Sequence, residues 1–479
     1  SSFVFALVFV MLCVNVIIRK SWVEQSKLSF PIIQLPLEMT RERFSIFRNH
    51  LTWIGIAISG GIALINGLHM ISPVIPHLRI LPNYHNMGRY FHNEPWSAIG
   101  WTPVGMIPSI VGLSFFMPLD LSFSCWFFYL FWKAQRILFS VIGTKAMASV
   151  TSHNIAFLNQ QTFGAVMGIA VISLWLSRHH FKKLVKSLFE GRSRSYDSDE
   201  PMKYGNAILG LIAGGAFLLF FSWSAGMAPW VAVAFFIFYY AFALTIAKLR
   251  AELGTPVHDF HATGPDQIMA EALGTRTLGT RSLTIFSLYH FFNRTYRSHP
   301  MPHPAEGFKI ASQTGMDPKR LFLAMVVALV IGVPIFFWVY LHVSYKYQGS
   351  MVMRFAAWSY RRLESQLVYP HTFDPIAIMS IAAGFVITLI LMFLRMRFIW
   401  WTLHPAGYAI SSSFSMNVCW SSIFMSWLLK YMILRSGGFR ILERARPFFC
   451  GLILGQFIMA GFWSILGIAM KRTIYIFTW

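Results

Sequence analysis

The stretch "FFMPLDLSFSCWFFYLFWK", residues 115–133, sets one carboxylate, Asp120, two positions after Pro118 in a run that is otherwise almost wholly apolar. Two kinds of chemistry suit an acid there. Proline interrupts the helical ladder, and the carbonyls it frees could join the carboxylate in holding a proton or a cation. Alternatively, residues 103–117 and 119–140 are two helices, and Asp120 caps the second at the membrane surface, where its charge suits a helix N-terminus. Span length favours the cap, because one helix from 103 to 140 would be far too long for a bilayer.

Two other stretches carry candidate groups. "GTPVHDFHATGPD", residues 254–266, packs His258, Asp259, His261 and Asp266 among turn-forming residues. Such a set can ligate a divalent metal, but the HxxH spacing is no defined zinc signature, no cysteine joins it, and solvated loop contacts are the plainer role. "WWTLHPAGYAISSSFSMN", residues 400–417, offers His404, Tyr408 and Asn417 as lining for a hydrated cavity, with Pro405 and Gly407 permitting irregular backbone. Its serines and small residues serve close helix packing equally well. His85, His92 and Glu94, and His299, His303 and Glu306, fit interfacial anchoring as well as chemistry. No GxSxG, HExxH or Walker motif occurs, so an enzyme is not expected. No cofactor is expected either, since a lone His404 needs only a structural hydrogen bond. Cys13, Cys125, Cys419 and Cys450 lie in apolar runs and read as buried thiols.

The elements that must position these groups are membrane helices. Of 479 residues, 56% are hydrophobic and only 12% charged, against about a quarter charged in soluble chains. About eleven apolar runs approach bilayer length, predicting an all-α, polytopic helical bundle. They fall near 3–18, 51–72, 103–117, 119–140, 161–178, 204–223, 228–248, 320–342, 373–394, 404–429 and 447–470. The net charge of +22 resides in short loops rather than on one soluble face, which points to the positive-inside bias and not to nucleic acid. With "SRHHFKKLVKSLFEGRSR" cytoplasmic, the alternation fails at "KYMILRSGGFRILERAR". Either residues 402–413 re-enter without crossing, or a span is miscounted. The opening run before "RK" reads as a transmembrane helix rather than a signal peptide, with residues upstream of Ser1 expected to be missing. A polar linker at 190–203 separates a first block, 1–189, from a second, 204–479, which contains a long polar loop at 249–319 with one interfacial helix expected in it.

The two blocks share an order of residues. Pro118, Cys125-Trp126, Lys133, Gly164 and Gly168 in the first are echoed by Pro405, Cys419-Trp420, Lys430, Gly451 and Gly455 in the second. The glycine pairs mark close helix packing. Internal duplication is common in secondary transporters, whose sites lie between repeats on interrupted helices; chance is the competing account, at even weight.

"RKSWVEQSKLSFPIIQLP", "FMPLDLSFSCWFF" and "GGFRILERARPFFCGLILGQF" resemble segments of the oligopeptide transporter (OPT) superfamily and its distant prokaryotic relatives. The resemblance covers about a quarter of the chain and implies a duplicated helical fold that transports small peptides or metal chelates, driven by protons or another cation. Gln456 stands where the transporting relatives are expected to carry an acid, which argues against proton coupling at that position. The expectation is a multi-pass transporter of the cell membrane, working by alternating access, with a path near Asp120, Pro118, His404, Tyr408 and Asn417. Its partners would be the lipid bilayer, a small-molecule substrate or cation, and further copies or other membrane subunits. The alternative is a non-catalytic scaffold subunit of a larger membrane complex.

Overall fold

The computed structural model describes residues 1–25, 28–40, 46–143, 158–189, 200–254, 257–261, 263–347, 350–472 and 474. Most of the expected linker at 190–203 lies outside the described residues. The elements described are helical, with no strand among the described residues. In chain order the α-helices are α1 (Ser2–Arg19), α2 (Gln34–Thr40), α3 (His50–Ile71), α4 (Pro108–Phe115), α5 (Leu119–Val141), α6 (Leu158–Leu176), α7 (Arg178–Phe189), α8 (Tyr204–Ser224), α9 (Pro229–Leu253), α10 (Pro265–Leu273), α11 (Thr275–Asn293), α12 (Pro302–Thr314), α13 (Pro318–Lys346), α14 (Ser350–Val368), α15 (Pro375–Arg397), α16 (Pro405–Ile410) and α17 (Phe414–Met470). Seven helices among the described residues are long and apolar enough to cross a membrane, or up to eight if the bent pair Leu158–Leu176 and Arg178–Ser187 is one span.

Three stretches differ from expectation. Residues 103–117 yield only the eight-residue α4, about 12 Å of helix against a hydrocarbon core of roughly 30 Å. Residues 404–429 are divided between the six-residue α16 and the start of α17. The polar loop at 249–319 is largely helical, in α10, α11 and α12, and many of its polar side chains are buried.

The chain divides into two compact units, neither continuous in sequence. Unit 1 comprises Ser1–Leu28, Ala148–Ala251 and Phe260–Ile390. In it α1 lies along α8, where Gly210 and Gly214 admit Cys13, Phe9 and Val10. On α6, Gly164 and Gly168 meet α15: a Cβ on Gly164 would collide with the Ile381 carbonyl, and one on Gly384 with the Gln161 carbonyl. Such small-residue faces bring membrane helices into backbone contact. An aromatic core of Phe235, Tyr239, Tyr289 and Phe292 packs at ring-centroid distances of 5.2–6.2 Å.

Unit 2 comprises Ser29–Met147, Glu252–Asp259 and Leu391–Trp479. Its central feature is α17, which is two arms and not one rod. Leu429 and Phe449 pack on one cluster with Val111 and Phe115 of α4, whereas in a straight helix they would stand about 30 Å apart. The chain doubles back at Gly438, whose φ of 64° and ψ of −162° suit glycine alone. The second arm packs on α3, where a Cβ on Gly451 would strike the Thr52 carbonyl, one on Gly55 the Phe448 carbonyl, and one on Gly455 the Ser59 hydroxyl.

Candidate functional site

Each unit holds a polar centre. That of unit 1 forms around α10, which begins with Pro265 and carries Asp266 in its first turn, the end of the helix that favours an acid. Gly274, at φ 83°, ends α10 and turns the chain into α11. The exposed carbonyls of α10 find partners around residue 371: His371 Nε2 lies 3.1 Å from Ala270 O, and the Asp374 amide donates to Ala272 O over 3.2 Å.

Asp266 is 3% exposed. Its Oδ2 is paired with Arg362 of α14 at 2.5 Å, and its Oδ1 accepts from the Asn293 amide, which in turn accepts from the Tyr296 hydroxyl. His290 lies 4.0 Å from Asp266 Oδ2; burial, set against the pull of Asp266 and the push of Arg362 and Arg294, holds its imidazole down at about 4, so it is neutral at physiological pH. Farther along α10, Glu271 has no cation bonded to it among the described residues. Gln160 of α6 donates to its Oε2 over 2.6 Å and Gln267 to its Oε1 over 2.8 Å. Burial pushes the Glu271 carboxyl up to about 7, and the nearby charge of Asp266 adds to that, while Gln267, Arg362 and Gln160 oppose it. Neither α10 nor α11 counts among the helices apolar enough to cross a membrane.

The centre of unit 2 lies where α5, α16 and the first arm of α17 meet. Ser124 donates to Thr402 O over 3.0 Å and accepts from the His404 amide over 2.8 Å, fixing the start of α16. Gly407 faces the Ser124 backbone, where a larger residue would not fit. His404 Nδ1 accepts from the Ala406 amide, and its Nε2 lies 3.9 Å from Glu252. Tyr408 is buried edge-on against Phe128. Asn417 accepts from the Tyr129 hydroxyl over 3.1 Å. Across the same unit, Ser421 donates to Gly105 O over 2.5 Å and Ser422 accepts from the Ile107 amide over 2.9 Å, fixing the start of α4. Gln456 accepts from the Ser109 amide in the first turn of that helix.

A buried lysine, Lys133, and a half-buried one, Lys430, complete this centre. Lys133 donates to the carbonyls of Ile99 and Trp101, at 3.1 and 2.7 Å. Lys430 donates to those of Phe115 and Met117, at 3.0 and 2.6 Å. The carbonyls freed before Pro118 thus face an ammonium group, and Pro118 O itself accepts from Ser122. Asp120 sits in the first turn of α5, whose N-cap position is taken by Pro118, and pairs with Arg395 at 2.5 Å with both side chains about a third exposed.

All five expected path residues therefore belong to unit 2, where α5, α16 and α17 supply them. His258 and Asp259 belong to unit 2 and His261 to unit 1, and among the described residues no three His, Cys, Asp or Glu side chains form a group that could hold a metal ion. The unit 1 network escaped sequence reading because Gln160 and Glu271 are 111 residues apart and Asp266 and Arg362 are 96 apart. Its one sequence signal was an acid pair placed after a Gly-Pro step, in a segment read as a loop. No curated protein matches this chain. Residues 1–479 match the "Family of unknown function (DUF6785)", and the chain belongs to that family.

Proposed function

We propose that the protein is a duplicated secondary transporter of the cell membrane that works by alternating access. The observation that carries this reading is a reciprocal set of contacts. Gly105, Ile107 and Pro108 stand to Thr402, His404 and Pro405 at one constant separation along the chain, and Ser124 to Ser421 and Lys133 to Lys430 share it. At these matched positions, a serine of α5 holds the start of α16, and serines of α17 hold the start of α4. The glycine contacts repeat too: Thr52, Gly55 and Ser59 correspond in order and spacing to Ile381, Gly384 and Thr388, and Gly451 and Gly455 to Gly164 and Gly168. This register pairs Pro405 with Pro108 rather than Pro118, and sets Asp120 against Asn417. Each repeat would hold three long helices and one short broken helix, α3 to α6 in the first and α15 to α17 in the second, which accounts for part of the eleven spans expected.

Short broken helices at matched positions within unit 2, each held by serine and lysine side chains, suit a binding site on interrupted helices. Small peptides or metal chelates are the substrate class to test, with a cation or proton gradient as driving force. In liposomes holding the purified protein, labelled trialanine or a ferric chelate should accumulate under an inward proton gradient. Uptake no greater than in protein-free liposomes would count against transport. One observation favours the scaffold alternative: no residue of α13 is buried. Copurification of a stoichiometric partner from native membranes, with α13 at the contact, would support that reading.

A further inference from the structure

We propose that Glu271 is the proton carrier of this transporter, binding a proton from one side of the membrane and releasing it to the other as the Gln160 amide turns. The inference rests on the transport reading and names the residue through which it would be coupled. Glu271 is 7% exposed and Gln160 3%. Among the described residues the carboxylate is held by two neutral donors, Gln160 and Gln267. The nearest guanidinium, Arg362, is engaged by Asp266 and reaches Gln267 rather than Glu271. Other titratable residues that meet α10 are His290, which faces Asp266, His371, which meets Ala270 O, and Asp374, whose amide donates to Ala272 O. Among the described residues no cation is bonded to Glu271, and Arg362, whose charge favours the ionised form from a distance, is committed to Asp266.

Gln160 gives the pair two states. With Glu271 ionised, Gln160 Nε2 donates to it, and Gln160 Oε1 is buried without a hydrogen bond among the described residues. With Glu271 protonated, a half-turn of the amide brings Oε1 to the same place, where it accepts the new carboxyl proton. One proton enters from water and the same proton leaves, so nothing else is consumed. The link from α10 to α6 persists in both states, while its polarity reverses.

The test is an infrared pH titration of the full chain in lipid nanodiscs, following the protonated-carboxyl stretch. A band titrating near pH 7 should be present in wild type and in Asp120→Asn, and absent from Glu271→Gln. In Gln160→Leu its midpoint should rise by about one pH unit, because the ionised form loses a donor. A titrating band that survives Glu271→Gln overturns the assignment, as does a midpoint unmoved by Gln160→Leu. Should Glu271→Gln fail to fold, the Gln160→Leu shift decides alone. In liposomes, Glu271→Gln should still exchange labelled trialanine but lose accumulation driven by a proton gradient. Accumulation equal to wild type would reject Glu271 as carrier and leave transport standing. No uptake by wild-type protein would remove the transport reading, and the carrier role with it.

Discussion

The polar centres of the two units use similar residues for opposite ends. In unit 2, Ser124, Ser421, Ser422, Lys133 and Lys430 all bond backbone groups at helix breaks. In unit 1, Gln160, Gln267, Glu271, Asp266, Arg362 and Asn293 bond one another. Side chains that satisfy backbone hold a shape, and removing one leaves buried carbonyls or amides without partners. Side chains that satisfy each other hold charge, and their arrangement answers to pH.

The sharpest way to break this contrast is Arg362→Ala, which strands the buried Asp266 carboxylate and should cost about 3–5 kcal/mol, read as a collapse of thermal stability in detergent. A loss under 1 kcal/mol would mean that Asn293 alone satisfies Asp266. Next is Glu271→Gln. An unfolded glutamate gives up its proton near 4.5, whereas the folded one keeps it to about 7, so stability should fall as pH rises across that window and level off above it. Glu271→Gln should abolish that fall, of about 3 kcal/mol, in melting curves recorded from pH 4 to 8. Ser124→Ala and Ser421→Ala in the unit 2 centre should leave this pH dependence unchanged.

Smaller effects sharpen the correspondence within unit 2. Lys133→Met and Lys430→Met each leave two carbonyls without a donor, at about 1–3 kcal/mol. If the two lysines are equivalent members of a repeat, their costs should agree closely; a severalfold disparity in unfolding free energy would separate them. Ser124→Ala and Ser421→Ala should each cost about 1 kcal/mol, and equally. An unequal pair would show that only one short helix depends on its serine.

How much of this was legible in the sequence follows from the reach of each interaction. Helices such as α1, α3, α8, α9, α13 and α15 declare themselves because an apolar run of about 20 residues is a local property. The short α4 and α16 were absorbed into longer runs, since hydropathy averages over a window wider than either helix. The reversal at Gly438 was hinted at by the failed alternation of basic loops around "RSGGFR". Asp266 was read as a solvated loop contact and Glu271 drew no reading, because composition cannot distinguish an acid in water from one clasped by amides far away in sequence. Among the unit 2 candidates, Asp120 stood out by its apolar neighbours, yet its partner, Arg395, is 275 residues on.

The pairing of α3 with the last arm of α17 also governs when the protein can be finished. The Trp463 indole donates to Ala63 O across 400 residues of chain. At a synthesis rate of roughly 5–20 residues per second, α3 waits for some 20–80 seconds before its partner exists. Throughout that interval the glycine face of α3, at Gly55, Gly60 and Gly67, stands uncovered in the membrane. Assembly of unit 2 is therefore a late event in biosynthesis, and a nascent chain stalled before Gly451 would present an open helix surface to whatever quality-control machinery surveys the bilayer.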